Sequence, residues 1–150
     1  MSLDLQSILD AVTSHAAASG FFERVNTHEP KSSPGTGLTA AVWVQRIGPA
    51  DSGLASTSAR VELVLRIYQN MLMEPQDAID PTIVAALDAL ITAYTSHFTL
   101  GGLVRHLDLL GKGGSTLSAQ AGYLNIDGKM HRVIDLTIPM ILNDVWEQVA

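Results

Sequence analysis

The chain has 150 residues, enough for one domain with its own core; a chain of this size removes roughly 70% of its unfolded surface from water and needs no disulfide or metal to fold. Nine Lys and Arg against 15 Asp and Glu leave a net charge of −6, which argues against a broad surface for gripping a nucleic-acid backbone. Cysteine is absent, so a disulfide framework, a thiolate metal site and a thiol nucleophile are excluded. No apolar run is long enough to cross a bilayer, and residues Met1 to Leu5 carry no basic leader; the expectation is a single soluble intracellular domain over residues 1–150.

Leu5, Ile8, Leu9, Val12 and Ala16 recur at three- and four-residue steps, which predicts a helix from Leu3 to about Ala18, capped by Ser2 or Asp4 and stopped at Gly20. Phe21 and Phe22 are expected to anchor its end in the core. The stretch from His28 to Gly37, rich in Pro, Gly and Ser, reads as a loop. Leu38–Ile47 and Arg60–Tyr68 both alternate with a period of two and are predicted to be paired strands, one face packed and one wetter. Gly48 to Ala59 between them reads as a long loop, and long loops inside compact domains are usually functional or mobile.

Asp80 suits an N-cap and Pro81 a first helical position; Ile83, Val84, Leu87, Leu90, Ile91, Tyr94 and Phe98 then form one apolar stripe. A shorter helix is expected from Gly102 to Leu110, broken by Gly111 to Ser115. A second hairpin follows, Ala121–Ile126 and Lys129–Leu142. A two-residue Asp127-Gly128 turn sets Leu124 opposite His131; a three-residue loop, which the shared face of Met130, Ile134, Leu136, Ile138 and Met140 favours, sets it opposite Met130. Pro139 lacks a donor, so the strand is expected to end there or lie at an edge. Asn143 to Ala150 reads as a short tail. The fold class is α+β: a mostly antiparallel sheet of two hairpins with helices packed on one face, in the order helix, hairpin, helix, short helix, hairpin.

Signals for chemistry are weak. His15, His28, His97, His106 and His131 show no metal-ligand spacing, and no serine stands in a nucleophile elbow. Gly111-Lys112-Gly113-Gly114-Ser115 has a Gly-Lys pair, but His106 stands where a phosphate loop needs glycine, and Gly113 where it needs Ser or Thr. No catalytic, cofactor-binding or metal residue is assigned. The wetter sheet face is more informative. Trp43, Ile47, Val64, Tyr68, Val133 and Ile141 lie there among Gln45, Arg60, Glu62, Arg66 and Asp135. Either a helix covers this face, or the sheet is one layer of a sandwich, or the face is open and is an interface between subunits. The candidate subunit or tube contacts are Trp43, Arg46, Asp51, Arg60, Glu62, Arg66, Asp135 and Trp146.

The element order, the run from Asp80 to Leu90 and above all the closing run from Gly122 to Trp146 resemble the tail terminator proteins of long-tailed bacteriophages, especially those of actinobacterial hosts. The resemblance spans nearly the whole chain but includes no catalytic signature. It implies a structural virion protein, assembled in the host cytoplasm, that forms a hexameric ring on the tail tube and ends its polymerisation. Its implied partners are further copies of itself, the tail tube protein and the head completion protein; DNA passes through the lumen without specific binding, and no cofactor or membrane is involved. An acidic subunit suits such a conduit, and a lumen poor in Lys and Arg is expected. Another head–tail junction or tail-like-particle component, and a small α+β ligand-binding domain or enzyme, are the alternatives.

Overall fold

The first helix, α1 (Leu5–Ala18), forms where the sequence predicts it, because its apolar positions fall on one face; Ile8, Leu9, Val12 and Ala16 are buried. Asp4 is its cap: its carboxylate accepts from the Ser7 N–H at 3.3 Å and from the Ser7 hydroxyl at 2.7 Å, and these bonds hold its pKa below the ordinary carboxylate value. Gly20, with φ +78°, turns the chain away after the helix. Phe22 packs against the core as expected, but Phe21 is largely exposed. This computed structural model describes residues 3–28, 37–50, 56–71, 79–112 and 114–147.

Six strands follow: β1 (Arg24–Asn26), β2 (Thr39–Ala50), β3 (Ser56–Asn70), β4 (His106–Leu107), β5 (Ser118–Ile126) and β6 (Lys129–Glu147). They form one sheet in the order β1-β2-β3-β6-β4, with β5 also paired to β6. The first pair is parallel and the others are antiparallel. Ala40 and Val42 of β2, Val61, Leu63, Leu65 and Ile67 of β3, and Ile134, Leu136, Ile138, Met140 and Leu142 of β6 point to one face, where they meet α1 and α2 (Ile79–Ser96). Each such aliphatic side chain contributes about 1.5–3 kcal/mol on burial, so this layer is the core.

The predicted loop from Gly48 to Ala59 is mostly strand. Gly48 pairs with Arg60, Pro49 with Ala59 and Ala50 with Ser58; residues 51–55, including Asp51, lie outside those described. Gly, Pro and Ser locally suggest a turn, yet Ala59 is fully buried and pairs with Leu142, so the neighbouring strand overrides local propensity. A bulge between Val44 and Arg46 also breaks the period of two. It puts Ile47 opposite Val61, on the helix-covered face and not on the wetter face where strict alternation places it.

Three further expectations change. Gly102 to Leu110 is not a helix: Leu100, Gly101 and Gly102 take φ of 49°, 70° and 90°, close one turn of 3₁₀ helix over Leu100–Gly102, and deliver His106–Leu107 as a strand on β6. The second hairpin has the two-residue turn, with Leu124 opposite His131. Asp127 (φ 52°) and Gly128 (φ 75°) are both left-handed, as a type I′ turn requires, whereas Met130 is exposed and imposes no face. Residues 143–147 are not a tail, since β6 runs on to pair Trp146 with Thr57. The expectation for Pro139 holds in its second form: the strand does not end there, but Pro139 lies at a local edge of it. It sits in the gap between the last β5 partner, Thr137, and the first β4 partner, Met140. Its carbonyl accepts from the Asp108 N–H there at 2.8 Å, so the missing donor faces this gap and the ladder with β3 is intact.

In α2, Ile79, Ile83, Ala86, Leu90 and Tyr94 are buried, while Val84 and Phe98 of the expected stripe are about half exposed. Asp80 lies in the first turn and is not the cap. The two helices are joined by polar contacts. The Tyr94 hydroxyl donates to the Val12 carbonyl at 2.8 Å, and burial pushes its pKa well above the ordinary value. Beside it, His15 Nε2 and His97 Nδ1 share a hydrogen bond of 2.8 Å, and the Tyr94 ring stands edge-on to His15. Desolvation first, and His97 second, hold the His15 pKa below 6.5. A base harder to protonate in the fold than in the unfolded chain makes stability full above 6.5 and weaker as pH falls toward the folded value. The urea midpoint is therefore expected to drop between pH 7.5 and 5 by less in His15→Gln than in the wild type; an equal drop in both would show that this pair does not couple to folding.

Candidate functional site

The face of the sheet opposite the helices carries most of the residues singled out from the sequence. Among the described residues no helix covers this face, and part of it is closed by the chain itself. The sheet curls, and a second small apolar cluster of Ala41, Tyr68 and Val133, flanked by Trp43, Leu124 and Ile126, closes one end. His131 is fully buried here, edge-on to Tyr68 at 6.3 Å, because the two-residue turn points it inward. Asp108, Gly114 and Ser115, from the chain between β4 and β5, lie against Arg60 at the other end.

Two arginines organise the interior of this face. Arg66 and Asp135 are directly opposite on β3 and β6, and the guanidinium forks onto both carboxylate oxygens, from Nε at 2.6 Å and NH2 at 3.0 Å. Its Cζ lies 5.2 Å from the Trp43 ring centre and 5.9 Å from that of Tyr68, giving the cation aromatic faces in place of water. The hydrogen bond to Asp135 outweighs desolvation and raises the Arg66 pKa further. Arg60 donates to Asp108 Oδ2 at 2.6 Å and to the Ser115 carbonyl at 2.8 Å, with Glu62 at 3.9 Å. The other oxygen of Asp108 accepts the Lys112 N–H at 3.0 Å. Arg60 thus holds down the glycine-rich segment. That segment joins β4 to β5 and opens no helix. Gly111 is φ +72°, and a Cβ there would meet Gly114 O and Thr116 Cγ2 at 2.7 Å, so its glycine serves a tight turn.

Of the candidate contact residues, the structure brings Arg60, Glu62, Arg66, Asp135 and Trp43 together on this curled face and ties the charged ones to each other or to the covering segment. Arg46 is exposed near the distal end of β2, and Trp146 is 37% exposed near the end of β6. Asp51 lies outside the described residues. Sequence spacing gives no sign of the ion pair of Arg132 with Asp80 at 3.0 Å, or of the hydrogen bonds that Arg105 donates to Asn143 and Ser58, because these join distant elements. The Arg66–Asp135 pair is the exception: both stand on the same predicted face of alternating strands.

Among the described residues, no group of three or more His, Cys, Asp or Glu could hold a metal ion, and no helix is long and apolar enough to cross a membrane. No protein-family model matches the chain, and no curated protein sequence matches it. Among solved structures the chain is similar to one in the virion of a native gene transfer agent particle, at 17% identity over 93% of this chain and 94% of that one, with a TM-score of 0.39. So loose a superposition transfers neither fold nor role.

The two ion pairs differ in burial, and this ranks their importance. Arg60 and Asp108 are 12% and 5% exposed in their side chains, against 19% and 36% for Arg66 and Asp135. Asp108→Ala is expected to cost about 2–3 kcal/mol in urea unfolding, since it strands a buried cation and the Lys112 N–H. Asp135→Ala is expected to cost about 1 kcal/mol, because its site is better hydrated. The reverse order would mean that the Asp108–Leu117 segment is not held by Arg60.

Proposed function

We propose that this chain is a structural virion protein that assembles with copies of itself into a ring of six, caps the tail tube of a long-tailed bacteriophage, ends tube growth and offers the head its attachment surface. The resemblance of the run from Gly122 to Trp146 to tail terminators motivates the reading. The structural observation that carries it is the distal end of the β2–β3–β6 ladder. After Val44 the strand β2 leaves protection, and Gln45, Arg46, Ile47 and Pro49 are exposed. Trp146, from the end of β6, is a large aromatic 37% exposed, and Ile47 is 44% exposed. Exposed apolar groups with one cation beside them, carried on a stiff three-stranded ladder, suit contact with another protein surface.

Catalysis has no part in this reading. The charged groups of the curled face pair with one another across strands and with the covering segment, a pattern that rigidifies a face. A ring needs one patch to meet a different patch on the next copy, with a rotation that closes. The ladder end is one such patch, and the tail tube protein and head completion protein are the axial partners. With a net charge of −6 on each chain, the ring repels a passing duplex and leaves DNA free to slide, without cofactor or specific binding.

The double variant Ile47→Lys and Trp146→Ala removes the exposed apolar groups and is expected to change stability by no more than about 1 kcal/mol. Mixed with purified tail tubes and viewed by electron microscopy, the wild type is expected to cap tube ends and stop their growth, and the variant to leave ends bare and tubes overlong. A variant that caps as well as the wild type would rule out the ladder end as the contact. A wild type that leaves tubes growing would sink the proposed function itself.

A further inference from the structure

The edges of the sheet are unequally protected. Strand β1 is three residues long with an exposed arginine, Arg24, and β4 is two. Beyond Ala41, the outer edge of β2 carries a bulge between Val44 and Arg46, the Arg46 cation and Pro49, all features that keep a strand from pairing with a stranger. Strand β5 has none of these. Its nine residues, Ser118–Ile126, contain no charge and no proline, and its ladder with β6 runs without a register shift. Nothing described pairs with its other side. The core-side face of β5 is bare as well: Ala119, Ala121, Tyr123 and Asn125 are exposed.

Backbone phase fixes which groups are open. The two-residue turn closes on the hydrogen-bonded pair of Ile126 and Lys129, so the even-numbered residues of β5 bond to β6. The odd-numbered ones, Ala119, Ala121, Tyr123 and Asn125, direct N–H and C=O outward. The Arg132 guanidinium reaching the Gly122 carbonyl at 3.2 Å from the β6 side agrees with this phase.

We infer that β5 pairs antiparallel with β5 of a second copy of this chain, across a two-fold axis at Gly122. Centred there, all nine residues find a partner, and every outward-facing residue meets an outward-facing one: Ala119 with Asn125 and Ala121 with Tyr123. The small half of the strand, Ser118 to Ala121, lies against the large half, Tyr123 to Ile126. Gly122 meets Gly122 at the non-hydrogen-bonded position, where backbones come closest, about 4.5 Å between Cα atoms. Centring on Tyr123 sets two tyrosines face to face, and centring on Ala121 leaves Asn125 and Ile126 unpaired. No like charges oppose in any of these pairs. One strand pair is small beside the roughly 1,600 Å² of a standard interface, so the dimer is weak and reversible. It is independent of the ring contact proposed above, which uses the other end of the molecule's long ladder.

Amide hydrogen exchange by NMR, with sedimentation, over roughly a 100-fold range of protein concentration tests this. The mass is expected to move from one chain toward two, and the amides of Ala119, Ala121, Tyr123 and Asn125 are expected to gain protection with concentration. Those of Gln120, Gly122, Leu124 and Ile126 are expected to be protected throughout. Ala121→Lys, and separately Ala121→Pro, which deletes one outward donor, are expected to weaken the dimer at least about tenfold while leaving the even-numbered protection intact. A single chain at all concentrations overturns the pairing. So does an assembly of any size, dimer included, whose odd-amide protection both variants leave unchanged. A ring of six in which those amides exchange freely also overturns it while leaving the proposed function standing. Failure to cap tubes has no bearing on it.

Discussion

The molecule is organised by one ladder, β3 against β6. Fourteen Cα pairs, from Ser56 with Glu147 to Asn70 with His131, align two long strands in the middle of the sheet. Because side chains alternate, the unbroken register from Ala59 with Leu142 to Asn70 with His131 decides both faces at once. It sends Leu63, Leu65 and Ile67 with Leu136, Ile138 and Ile134 toward the helices. It also places Arg66 over Asp135 and Tyr68 beside Val133 on the other side. A slip by one residue would bury the arginines among aliphatic groups and expose the core, so the polar face helps exclude the wrong pairing.

The polar face is the less usual half of this design. A sheet with helices on one side commonly leaves its other side to water. Here the curl of the sheet, the Asp108–Leu117 segment and the hairpin tip each take a share of the cover. A guanidinium forked onto a carboxylate and laid against tryptophan is a rigid way to fill such a space. The result is a stiff body that carries Ile47 and Trp146 exposed at the ladder's far end and Tyr123 exposed on β5, where contacts with other molecules are proposed.

Much of this was legible in the residues. The first helix declared itself through three- and four-residue steps ending at a glycine, and the two faces of β3 through strict alternation. What stayed hidden was set by distant chain. The bulge after Val44 reverses the side on which Ile47 emerges, and nothing local marks it. Strands β2, β3 and β6 each run past their apolar stretches, through Gly48, Pro49, Ser58 and Asn143, because neighbours supply hydrogen bonds that local propensity cannot foresee. The segment after Gly102 has helix-like spacing, yet the β6 edge captures it as a strand. For the face itself, Arg66 and Asp135 could be placed on the same side by counting, whereas Asp108, which holds Arg60, comes from a segment read as helix.

The separation of β3 from β6 along the chain has a kinetic side. Arg66 and Asp135 are 69 residues apart, and everything from α2 to the second hairpin must be threaded between their strands. Local units such as the two hairpins can form early, but the central seam closes only after a large loop has been drawn in, which slows folding. Until then β3 presents aliphatic side chains on one surface and tyrosine and valine on the other, with one edge of its backbone unpaired. The strand that unifies the finished molecule is thus its most adhesive segment while it is being made, and newly synthesised chains crowded together are most vulnerable to misassociation in that interval.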